Sequence, residues 1–81
     1  MTANEKCKMF FEEWIAAQHE WERCLIQHFG VDGARDERWL SDNRHHPAYV
    51  RAAKQEFIIA GDKYRIACAE AIQQETNNHA S

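Results

Sequence analysis

Residues 24–47 read CLIQHFGVDGARDERWLSDNRHHP, and this stretch decides the fold. It holds Gly30 and Gly33, two of the chain's three glycines, and Pro47, its one proline. Gly30 ends the apolar periodicity that precedes it, as a glycine does just past the last turn of a helix. Pro47 opens the periodicity that follows, at a first helical turn where its missing N–H costs nothing. Between the two, Asp32-Gly33 is a turn signal. Residues 34–41 have the length of about two helical turns, with Trp39 and Leu40 as the apolar edge that covers one end of the fold. Ser41, Asp42 and Asn43 break that segment. The stretch therefore reads as a hairpin connection with a short helix inside it.

Working outward toward the N-terminus, residues 3–29 contain neither Gly nor Pro. Cys7, Phe10, Trp14, Ala17, Trp21, Cys24 and His28 recur at alternating spacings of three and four, the rhythm of a helix with one buried stripe. Phe11, Ile15, Leu25, Ile26 and Phe29 lie beside or away from that stripe, so the apolar face is wider than one partner helix covers. Thr2 or Asn4 caps the start, with Glu5 at the positive end of the helix dipole.

Working outward toward the C-terminus, Val50, Ala53, Phe57, Ala60, Tyr64, Ala67 and Ala71 repeat the same spacing and predict a helix over about 47–74. Ile58, Gly61, Cys68 and Ile72 form a second stripe beside it. Gly61 costs a helix roughly 1 kcal/mol relative to Ala, which points either to close approach of another backbone there or to simple tolerance of the glycine. Matching Phe29 with Pro47 sets the hairpin register: Cys7 falls near Cys68, Phe10 near Ile66 and Trp21 near Gln55. The predicted architecture is all-α, a long antiparallel helical hairpin with a short helix in the connection. Residues 1–75 make a single domain, and 76–81 are a polar, frayed tail. Two helices cannot bury two stripes each, so the expectation is a homodimer that forms a four-helix bundle.

Composition agrees with this class. The chain has 81 residues, 44% hydrophobic and 28% charged, with too few turn residues for an all-β protein. A core this small usually needs a disulfide, a metal or a second subunit. The net charge of −3 and a pI near 5.9 lack the basic excess of a nucleic-acid binder. No apolar run approaches the ~20 residues that cross a bilayer. The first residues lack the pattern of a signal peptide. A cytoplasmic location with reduced Cys7, Cys24 and Cys68 is the expectation; Cys7 and Cys68 then read as two packed thiols, with a disulfide closing a long loop as the alternative.

Several chemistries would each leave a recognisable residue pattern. Cys24 and His28 share a helix face at i, i+4, and the hairpin brings His45 and His46 to the same end, which makes these four the candidate zinc ligands. No CxxC or HExxH strengthens them, and the preferred reading gives the chain no metal and no cofactor. No Glu is followed three residues later by His, as a di-iron bundle requires. No phosphate-binding glycine loop and no nucleophile elbow occur, so catalysis is not expected. Arginine and tryptophan in one exposed segment are typical of binding hot spots. Arg35, Arg38, Trp39, Arg44, His45 and His46 are accordingly the candidate partner surface. The leading expectation is a non-catalytic protein-binding module, a small regulator or inhibitor with the economy of those made by phages and mobile elements. The alternatives are a zinc protein using Cys24, His28, His45 and His46, and a nucleic-acid accessory protein using Arg35, Arg38, Arg44, Arg51 and Lys54.

Overall fold

A computed structural model describes residues 1–40 and 42–80, with side chains as far as Thr76 apart from Ser41. It is a helical hairpin. Helix α1 spans Ala3–Arg38 and helix α2 spans Ala48–Ala80, and the two pack on each other. None of the described residues is in a strand. Among the described residues, no helix is long and apolar enough to cross a membrane.

Helix α1 begins where a capping box allows it to. The Thr2 hydroxyl accepts from the Glu5 N–H at 3.1 Å, and the Glu5 carboxylate accepts from the Thr2 N–H at 3.4 Å. Thr2, rather than Asn4, is therefore the cap. The helix is broken once, at Gly30, whose φ of 79° and ψ of 171° are not helical. This region of backbone space is essentially open to glycine alone. Helical backbone resumes at once and runs to Arg38, so Gly30 makes a corner between two helical pieces of one element.

That corner changes the expected connection. Asp32 and Gly33 are helical, not a turn, and the short helical piece occupies 31–38 instead of 34–41. Ser41, at the end of the expected helix, lies outside the described residues. The Trp39–Leu40 edge does not cover the core: Trp39 is 79% exposed and Leu40 46%. Ala34, buried on the inner side of the short piece, does the covering. Past the connection, the Pro47 carbonyl accepts from the N–H groups of Val50 and Arg51, each at 3.1 Å, which starts α2. At its other end α2 continues to Ala80, beyond the expected limit near residue 74.

The register agrees with the spacing argument. Cys7 meets Cys68, Phe10 and Ile66 line one shallow depression, and Trp21 lies under Lys54 and stacks on Phe57. Trp14 stacks between Phe57 and Tyr64. The tight approach expected at Gly61 is real, but the neighbour is a side chain: a Cβ there would lie 3.1 Å from the Trp14 indole nitrogen. The buried cluster of Trp21, Cys24, Leu25, Ala34, Val50 and Ala53 sits at the connection end. Much apolar surface stays outside it. Ile26, Ile58 and Ile72 are 45%, 45% and 65% exposed, and Ile15 is half-buried.

Candidate docking cleft and the histidine cluster

The Gly30 corner swings the 31–38 piece back across the flank of the preceding helix and leaves a cleft of about 330 Å³ in the elbow. Leu25 and Ala34, both buried, make its floor; Ile26, Val31 and Trp39, all exposed, make its walls. Glu22, Arg35 and Arg38 stand at its polar side. The Arg38 guanidinium pairs with Glu22 at 2.5 Å and lies 5.7 Å from the Trp21 ring and 5.8 Å from that of Trp39. Arg38 is thus held as a cationic bracket between two indoles, a geometry that favours arginine over lysine. Arg35 makes no ion pair among the described residues. The elbow is an apolar notch with a charged lip.

A second constellation closes the connection. The Nε2 atoms of His45 and His46 both lie against one oxygen of Glu37, at 2.5 and 2.9 Å. His46 is buried against Phe29, while His45 is exposed. The two hydrogen bonds, that of His46 foremost, hold the Glu37 carboxyl below the ordinary glutamate range. Next to them Asp42 accepts from the side chain and backbone N–H of Arg44, and the guanidinium draws its carboxyl down to about 2. Among the described residues, His46 Nδ1 is buried without a hydrogen-bond partner.

The six candidate partner residues therefore divide. Arg35, Arg38 and Trp39 come together at the elbow. Arg44, His45 and His46 do not join them; they turn to Asp42 and Glu37 inside the connection. The four candidate zinc ligands divide as well. Among the described residues, Glu37, His45 and His46 are the group whose ligand atoms converge, all within 4.8 Å of one another. Cys24 stays out of it because its sulfur faces the core and donates to Glu20 at 3.8 Å, and burial pushes its thiol up. His28 is exposed and packs edge-on against Phe29 and Tyr49. Of the five cations in the nucleic-acid alternative, Arg38 and Arg44 are committed to carboxylates and Lys54 lies over Trp21.

Sequence reasoning missed Glu37, Ile26 and Val31. Glu37 lies eight and nine positions before the two histidines, a separation with no helical meaning, and only the closed connection brings them together. Ile26 and Val31 flank Gly30, and their convergence depends on the corner angle. Comparison with protein-family models, with curated proteins and with solved structures finds no match for this chain.

Proposed function

We propose that the protein is a non-catalytic docking module, a small regulator or inhibitor that binds another protein at the Gly30 elbow. The observation that carries this is Trp39, a tryptophan 79% exposed on the wall of an apolar cleft and bracketed by Arg38. A tryptophan left in water beside an apolar notch is typical of an interface anchor. The partner is a protein segment with one large apolar side chain followed by acidic residues, because the notch is apolar and Arg35 brings an uncompensated positive charge to its lip. The module acts as a homodimer through Ile15, Ile58 and Ile72 on the flank of the hairpin, which leaves the elbow open. Affinity capture with the full chain is the test. A partner retained by the wild type and lost with Trp39→Ala or Arg35→Glu supports the reading; a capture indifferent to both substitutions overturns it.

A second reading, metal binding, is favoured by the convergence of Glu37, His45 and His46. Two imidazoles and a carboxylate are a donor set that zinc and ferrous iron accept with open coordination positions. The partnerless Nδ1 of His46 counts against it, because a metal-bound imidazole usually donates its other N–H to a neighbour. Zinc titration followed by thermal melting decides. A rise in Tm for the wild type that is absent in Glu37→Gln supports the site, and no rise at excess zinc removes it.

A further inference from the structure

The hairpin is filled unevenly. Its buried cluster lies at the connection end, and toward the termini the one fully buried apolar residue among those described is Ala67. The ion pair that ties the helices there, Lys6 with Glu70 at 3.5 Å, is about half exposed and contributes little. A chain of this size with half a core is the kind that covalent staples stabilise.

That end also carries Cys7 and Cys68. The two thiols are sixty-one positions apart in sequence, half-buried, and their sulfurs are 2.9 Å apart. Unbonded carbon atoms rest about 3.5–4.0 Å apart, and sulfur is larger. A disulfide brings its sulfurs to about 2.05 Å. The pair is thus already inside ordinary contact distance, and less than about 1 Å of further approach makes the bond. Cys24, the third cysteine, is buried at the other end and is no competitor.

We propose that Cys7 and Cys68 are an oxidative cross-linking site, a reversible staple across the thin end of the hairpin, with small-molecule disulfides as the oxidant. With oxidised glutathione the exchange runs in two steps. One cysteine gives its proton to solvent, and its thiolate attacks one sulfur of the glutathione disulfide. That bond breaks, a glutathione thiolate leaves, and a mixed disulfide remains on the protein. The second cysteine, likewise deprotonated, attacks the protein-side sulfur and expels the second glutathione thiolate. Two protein thiols have then lost two electrons and two protons, and one glutathione disulfide has become two glutathione thiols. The Cys7 thiol is held above its ordinary range by the hydrogen bond to Cys68, so exchange accelerates as pH rises.

The site is independent of the docking cleft, and its test uses the full chain equilibrated in reduced or oxidised glutathione buffer. The expected result is a loss of two hydrogen masses on oxidation, a cross-linked peptide joining Cys7 to Cys68, and Cys24 still alkylated after denaturation. The oxidised form should melt more than about 10 °C above the reduced form, and that gain should be absent in Cys7→Ser. A persistent glutathione adduct, a link through Cys24 or between two chains, or an unchanged mass overturns the proposal. So does a cross-link that leaves Tm where it was, since it would not be a staple.

Discussion

At Gly30 the backbone stands at φ 79° and ψ 171°, and a Cβ placed there would meet nothing within 4 Å. The glycine is therefore required by backbone conformation and not by crowding. Gly30→Ala should cost about 1–3 kcal/mol through strain alone, read as a lowered Tm with the helical circular dichroism signal retained below it. Gly61 is the converse case. Its backbone is helical, so alanine would ordinarily gain roughly 1 kcal/mol. Trp14 is wedged between Phe57 and Tyr64 and cannot yield, so Gly61→Ala should show no gain or a net loss in a denaturant titration. The need for glycine at 30 was legible because a lost periodicity announces a helix end. The reason for glycine at 61 was not, since the indole that fills the space is forty-seven positions away in a sequence that names no contacts. Glu37 gives a pH prediction. Its folded pKa is lowered by the hydrogen bonds of His46 and His45, and Asp42 is lowered to about 2 by Arg44. A lowered carboxyl contributes stability that is present above its unfolded pKa and lost as pH falls through its folded one. Tm should therefore fall as pH drops from about 4 toward 2, and Glu37→Gln should flatten part of that acid limb. An acid limb identical in the variant would assign the loss to Asp42 and other carboxylates.

At the scale of the elements, the two long helices and their register follow from the three-four spacing, because each stripe needs the other to leave water. The connection did not follow, for a physical reason. Asp32-Gly33 has turn chemistry, yet a turn there would expose Ala34 and leave the end of the core open. Letting the corner fall at Gly30 alone keeps 31–38 helical and buries Ala34 beside Leu25 and Val50. Tertiary burial outweighs a local preference of a few tenths of a kcal/mol per residue. The candidate site was half legible on the same grounds. Arg35, Arg38 and Trp39 are neighbours along one short helical piece, whereas the cleft walls Ile26 and Val31 belong to the two sides of the corner. The elbow should therefore be the stable end of the molecule. Leu25→Ala, at a side chain 1% exposed, should cost about 2–5 kcal/mol. Ile59→Ala, on the outer side of α2, should stay within about 0.5 kcal/mol. Equal losses at the two positions would mean that the core is not concentrated at the connection.

The whole molecule is a rod of 54 × 21 × 20 Å with a radius of gyration of 16.4 Å, where a compact chain of its length would have about 12 Å. It exposes 5962 Å², whereas a globular monomer of 9.5 kDa exposes about 5000 Å². An elongated shape by itself exposes more surface, and large apolar side chains are among what it exposes. Their placement is not random. By helical phase, Phe11 and Ile15 share one flank of α1, and Ile58 and Ile72 share the flank of α2 that lies on the same side of an antiparallel pair. On the proposed dimer, two copies would join these flanks and cover Phe11, Ile15, Ile58 and Ile72 in a four-helix bundle, with self-complementary contacts about a two-fold axis. Sedimentation equilibrium should then give twice the chain mass. Ile58→Glu combined with Ile72→Glu should give the mass of one chain, with helix content retained, because both side chains stand outside the hairpin's own core. The elbow lies beyond this face at the corner end, so the double variant should still retain any partner that depends on Trp39. A wild type that sediments as one chain would remove the dimer without touching the docking cleft. A double variant that loses the partner together with the dimer would place the partner's binding surface across both copies.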